Sequence, residues 1–442
     1  MSPRAAVALP AILACAAAVS PLVAQASPTE ILFVGNSFTH GRYNPVRSYN
    51  AGFGTANVHD LLCPSAGACS PAESGPQVDP SLNPPPGTLA QQLAYLQANP
   101  AAQYNEPGPY GGVPGIFLQF TRDAGLSYDV SMVAVSSATL TGYLNNKGSE
   151  AGILPLIESA KWNKVVLQDQ SFRPLPNPIT VNGNPVATRG NQAGFLSSVT
   201  GLVNGIDAAT AKAGKPNPAV TLFETMPLAN YGYTSSNPNK PIFGSSTGPA
   251  GSIYAPYVGD ANPNAAMARD LHDAYEAAAS AYDAAHPGKS NVDVALAGDA
   301  WITAMNQALA VRDPYLANLP PNEVDLWDSD VLDACCTTPI GYHPSVYGSY
   351  LNALVLFDQI TGVDPDTLAA EFDPTNPLYL DSASYALGIA PGLARLLAMT
   401  AAETVDSGQP VPEPSTLALF FTAAMIGAVA VRRRQSRKSA AS

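Results

Sequence analysis

The sequence predicts an α/β fold, a three-layer α/β/α sandwich in which a five-stranded parallel sheet lies between two layers of helices. Two observations carry this. Five short apolar runs have strand length and composition: ILFVG at 31–35, LSYDVSMVAV at 126–135, KVVLQ at 164–168, AVTLFE at 219–224 and VDVALAG at 292–298. Stretches with helical spacing separate them, and strands that alternate with helices build parallel sheets covered on both faces.

Each element follows from its residues. The first run is stopped by Gly35 and Asn36, so it reads as a buried strand that delivers Ser37 to the carboxyl end of the sheet, where α/β folds bind ligands. Residues 52–115 are rich in Pro, Gly, Ala and Asn, as in NPPPG and NEPGPYGG, and read as an insertion, either a lid or an irregular surface loop. VPGIFLQFTRDAG is then a helix leading into the second strand, ILPLIESAK one leading into the third, and a helical stretch near 193–213 leads into the fourth. MARDLHDAYEAAASAYDAAH carries apolar residues at helical spacing before the fifth strand, and DAWITAMNQALAV is helical after it. The Pro- and Asn-rich runs at 172–190 and 229–264 read as long loops.

The chain has 442 residues, and both ends have the composition of addresses. Residues 1–26 carry Arg4, a long apolar run and Ala24-Gln25-Ala26, the layout of a secretory signal cleaved after Ala26. Lipid attachment at Cys15, after Leu13-Ala14, is the alternative. The folded domain is expected over 27–400. The other end, 411–442, places an apolar block from Leu417 to Val431 before Arg432, Arg433 and Arg434. Such a block is shorter than the ~20 residues that span a bilayer comfortably, but its charge placement suits a membrane anchor. Val411-Pro412-Glu413-Pro414-Ser415, then the apolar helix, then the arginines resembles the PEP-CTERM sorting signal of Gram-negative exopolysaccharide producers. The resemblance implies an exosortase-type processing enzyme as a partner, transient attachment to the inner membrane through the C-terminal helix, and a final location in the envelope or extracellular matrix.

A net charge of −13 excludes charge-driven binding of nucleic acid. Besides Cys15 the cysteines are Cys63, Cys69, Cys335 and Cys336, an even number that suggests disulfides in an exported chain. Cys63 and Cys69 bracket a short loop and can close a small ring; the adjacent Cys335 and Cys336 pair with each other or elsewhere. No histidine lies at ligand spacing from either pair, so no metal is implied.

A serine attacks an acyl carbon only when a base takes its proton and donors stabilise the oxyanion. Histidine is the usual base because it titrates near neutral pH. The chain has His40, His59, His272, His286 and His343. His343 sits in GYHPSVYGSYLNALVLFDQITG, at the mouth of an apolar helix; His40, three residues after Ser37, reads as a polar residue of the site rim. Together, ILFVGNSFT and YHPSVYGSYLNALVLF resemble the first and last blocks of the SGNH, or GDSL-like, hydrolases, flavodoxin-like α/β/α esterases whose serine and histidine lie in those blocks. The resemblance implies Ser37 as nucleophile and His343 as base. The acid that usually stands three residues before the histidine is replaced by Ile340; LWDSD at 326–330 resembles the start of that block, making Asp330 the expected orienting acid and Asp333 the second choice. The oxyanion and substrate-binding candidates are the Ser37 N–H, Ser137 in the usual glycine position, Gln170 or Gln168 where the family has asparagine, and Asn36. The expectation is an exported serine esterase without cofactor, acting on an ester, with O-acylated carbohydrate as the contextual substrate class. The alternative is a non-catalytic protein of the same scaffold that binds glycan.

Overall fold

The computed structural model describes residues 27–42, 44–66, 69, 108–233, 255–289, 291–316, 318–328 and 342–408. All five expected strands form: β1 (Thr29–Gly35), β3 (Tyr128–Ala134), β4 (Lys164–Leu167), β7 (Ala219–Phe223) and β8 (Val292–Ala295). A sixth, β2 (His59–Asp60), adds an edge, and the sheet runs β2-β3-β1-β4-β7-β8 with every pair parallel. A separate antiparallel hairpin, β5 (Ile179–Val181) with β6 (Asn184–Val186), lies inside the 172–190 loop.

The strand that carries Ser37 is covered on both sides, which is why its sequence is a continuous apolar run. Successive side chains point to opposite faces. Ile31 and Phe33 enter one core, and Leu32 and Val34 enter the other. All four are fully buried, and each contributes about 1.5–3 kcal/mol on burial, so β1 is a stiff platform. Helices α1 (Ser37–His40), α2 (Gly112–Asp123), α3 (Leu140–Asn145), α4 (Gln192–Lys212), α5 (Pro263–Ala285), α6 (Ala297–Asn306), α7 (Val346–Thr361) and α8 (Pro391–Ser407) flank the sheet. Helices α2, α7 and α8 build the first core; α4 lies on the second, and α5 contributes to both. The domain end expected at 400 falls inside α8, whose Leu397, Ala398 and Ala401 are core residues.

Part of the 52–115 insertion belongs to the sheet. Two residues of β2 carry no period to read, so the edge was not legible. Asp60 clips the excursion at both ends: its Oδ1 accepts from Leu62 N at 3.1 Å and its Oδ2 from Tyr110 N at 2.9 Å. Cys63 and Cys69 form a disulfide just beyond. The expected secretory signal, the alternative lipidation residue Cys15, most of the Pro-rich insertion, Asp330, Asp333, Cys335, Cys336 and the 411–442 tail lie outside the described residues. Among the described residues no helix is long and apolar enough to cross a membrane.

Candidate active site

Leaving aside the edge strand β2, the strand order in space is second, first, third, fourth, fifth, so the chain reverses direction across the sheet between β1 and β4. Loops leaving the carboxyl ends of strands at such a switch point open a crevice. Ser37 follows β1 and Gln168–Ser171 follow β4, so the sequence motifs meet at this crevice for topological reasons.

The turn that presents Ser37 is over-determined. Asn36 Oδ1 accepts from Phe38 N at 3.1 Å as the N-cap of α1, and its Nδ2 donates to Ala138 O at 3.0 Å. Gln168 Oε1 accepts from Asn36 N at 3.1 Å and from Thr39 Oγ1 at 2.9 Å. Its Nε2 donates to Asp169 O. The amides of Asn36 and Gln168 therefore hold the nucleophile turn and the neighbouring loop. A Cβ at Gly35 would lie 2.0 Å from Thr39 Oγ1 and 2.6 Å from Gln168 Oε1; only glycine leaves room for this knot.

His343 arrives from the far end of the chain. Trp327 and Pro344 form an antiparallel bridge, Asp328 N donates to His343 O at 2.8 Å, and Ser345 N donates to Leu326 O at 2.8 Å. Ser345 then caps α7 by accepting from Gly348 N. This short ladder fixes the backbone on both sides of the histidine. His343 Nε2 lies 2.9 Å from Ser37 Oγ, although the residues are 306 positions apart. Each is 7% exposed, so the pair is desolvated but reachable. Phe38 and Tyr342 stand edge-on to the imidazole at 5.3 and 5.1 Å, and Tyr342 Oη bonds Ser171 Oγ at 2.7 Å. A serine hydroxyl held against an imidazole nitrogen in a water-poor crevice can pass its proton to that nitrogen while attacking an electrophile.

The other candidates divide. Ser137 is exposed and adopts φ +65°, left-handed backbone that glycine would occupy without strain. Gln170 is half-buried beside the crevice. Asp169, between the two glutamines, was missed: its buried Oδ1 accepts from Gln170 N at 2.7 Å and Leu140 N at 3.0 Å, tying the loop after β4 to the loop that holds Ser137. Burial pushes its carboxyl up to about 6, against the pull of those two N–H groups. His40 is not on the rim. It is fully buried, stacked at 4.3 Å on Tyr110, with Nδ1 3.1 Å from Gly41 O and Nε2 3.1 Å from Ser136 Oγ. Burial pushes it down to about 3. The neutral ring that results donates from Nδ1 and accepts the Ser136 hydroxyl at Nε2, holding the residue next to Ser137.

Asp330 and Asp333 lie outside the described residues, and the carboxylate described beside His343 is Asp328. The bridge register sets it directly opposite His343. Side chains of such a pair leave Cβ atoms about 4.5–5.5 Å apart, within reach for a carboxylate and an imidazole. The signal was present in LWDSD, which contains both acids.

Residues 410–434 match the PEP-CTERM protein-sorting motif. Such a motif implies export, membrane-anchored sorting and processing by an exosortase. Among solved structures, a DUF4886 family protein from Bacteroides uniformis is similar at 12% identity and a TM-score of 0.41, covering 88% of this chain and 98% of its own. A candidate SGNH hydrolase from Slackia heliotrinireducens is similar at 14% identity and a TM-score of 0.35, covering 76% and 100%. No curated protein matches the chain.

Proposed function

We propose that the chain is an exported serine esterase of SGNH type. The observation that carries this reading is the 2.9 Å approach of Ser37 Oγ to His343 Nε2 at the switch point of the sheet. Ser37 Oγ attacks the ester carbonyl carbon as its proton passes to His343 Nε2, and the carbonyl electron pair moves onto the oxygen. The backbone N–H groups of Ser37 and Ser137, with the Gln170 amide, are the donors assigned to that oxyanion; donors fixed in advance cost no reorganisation at the moment of reaction. The tetrahedral intermediate collapses, the ester C–O bond breaks, and His343 returns the proton to the leaving alcohol. Water then attacks the acyl-serine by the same route. Asp328 orients the imidazole through Nδ1, taking the role expected of Asp330.

The sorting motif supports a location in the envelope of a Gram-negative exopolysaccharide producer. An O-acylated carbohydrate is the substrate class that this setting favours. Hydrolysis of p-nitrophenyl acetate and of acetylated sugars, lost in Ser37→Ala, is the expected result. Equal turnover by wild type and Ser37→Ala across acetyl, butyryl and longer esters gives the fold to the other reading, a glycan-binding protein, which draws on Ser137 and Gln170 standing where the family has glycine and asparagine.

A further inference from the structure

Two strands along the same sheet edge lies a second cluster that the esterase chemistry does not use. Glu224 is the first residue after β7, Asp299 lies in the first turn of α6 after β8, and His272 projects from the middle of α5. Their exposures are 0, 2 and 5%. One nitrogen of the imidazole and one oxygen of each carboxylate all lie within 4.8 Å of one another. His272 Nδ1 is 2.7 Å from Asp299 Oδ2, and Glu224 Oε2 accepts from Asp299 N at 3.2 Å. The Gly298 N–H also acts on the Glu224 carboxylate, but Glu224 Oε1 is left without a well-formed hydrogen bond.

That orphan oxygen separates this cluster from an ordinary buried network. A fully buried carboxylate oxygen without a donor is costly, and the fold makes room for it deliberately. Gly298 abuts the carboxylate, and a Cβ there would lie 3.0 Å from Glu224 Cδ, 3.1 Å from Oε1 and 2.6 Å from Thr225 O. Charge points the same way: two carboxylates face one imidazole, and the further charges acting on His272 are those of Glu276 and Asp273, also acidic. A cation supplies the missing partner for Oε1.

We propose that Glu224, His272 and Asp299 bind one divalent cation of the Zn²⁺ class. One nitrogen and two carboxylate oxygens are the donor set that suits such an ion; Ca²⁺ and Mg²⁺ prefer oxygen alone. Ligand bonds of about 2.0–2.2 Å draw donors to roughly 3.5 Å from one another, a small contraction of the cluster. Burial marks the site as structural: the ion clamps the end of β7 to α5 and α6. It lies apart from Ser37 and takes no part in acyl transfer.

The test uses the full-length chain in detergent, stripped with EDTA, then dialysed against Zn²⁺ and assayed for metal by mass spectrometry. Wild type and Ser37→Ala are expected to retain one equivalent, with a raised Tm that EDTA reverses. Glu224→Gln should bind at least 10-fold more weakly and lose the Tm response, whereas His59→Ala, which removes the part-exposed His59–Asp129 pair, should bind as wild type does. Co²⁺ titration of wild type should give d–d absorption bands, a readout independent of how well Glu224→Gln folds. Wild type that retains no zinc and gives no bands, or zinc binding that Glu224→Gln leaves intact, overturns the assignment and leaves the three groups as a network sharing protons.

Discussion

Replacing Gly35 with alanine tests the mechanics of the nucleophile turn without touching a reacting atom. The new methyl would sit 2.0 Å from Thr39 Oγ1, 2.9 Å from Thr39 Cβ and 2.6 Å from Gln168 Oε1. Neither neighbour can step aside freely. Thr39 Oγ1 donates to Gln168 Oε1, and the same oxygen accepts the Asn36 N–H, so moving one breaks the contacts of both. Overpacking of this kind costs about 1–3 kcal/mol, and leaving the buried Asn36 N–H unsatisfied costs about 1–3 kcal/mol more. A loss of about 2–6 kcal/mol in urea unfolding is expected, together with slower reaction of Ser37 with a fluorophosphonate. Thr39→Ala removes the nearest atom, so the double variant should recover part of both losses. A Gly35→Ala protein within ~0.5 kcal/mol of wild type, the range of an inconsequential surface change, refutes the over-determined turn.

Asp328→Asn should lower kcat for p-nitrophenyl acetate more than Asp330→Asn does, and less than His343→Ala, whose loss of the general base should cost the ~10²- to 10⁴-fold typical of that role; the reverse order of the two aspartates restores Asp330. His40 carries a pH signature. Its folded value of about 3 lies below the ordinary 6.5, so its stabilisation is present above pH 6.5 and is lost as the pH falls towards 3, at up to about 1.4 kcal/mol per pH unit. His40→Asn should flatten that part of the acid-unfolding curve, and parallel curves for variant and wild type contradict the buried neutral ring. Asp169 has the opposite sign: raised to about 6 from 3.8, its contribution is present below pH 4 and lost as the pH rises through 6, reaching about 3 kcal/mol. Asp169→Asn keeps an acceptor for both N–H groups, so the variant should gain stability over wild type above pH 6 and lose that advantage near pH 4 in thermal unfolding.

The parts of the molecule legible in the sequence are those that a local pattern dictates. ILFV is a continuous apolar run because both faces of β1 are covered, and Gly35 and Asn36 end it because the turn admits no Cβ and needs a cap. His343 was legible as a polar residue at the mouth of an apolar helix, paired by resemblance with Ser37. The rest depends on contacts between distant segments. His40 reads as a rim residue until Tyr110, returning from the excursion that Asp60 clips, covers it. Asp169 has partners on both sides of the crevice, and the one at Leu140 leaves no trace near position 169. That Asp328 stands across from His343 follows from the bridge register of Trp327 with Pro344, and a register is a property of two strands.

The central claim is that Ser37 is a nucleophile activated by His343, and covalent capture tests it most directly. The full-length chain, treated with a fluorophosphonate and digested, should yield one labelled peptide carrying the adduct on Ser37, with no labelling in Ser37→Ala and strongly slowed labelling in His343→Ala. Failure of the folded wild type to label, or labelling that persists when Ser37 is alanine, contradicts the account.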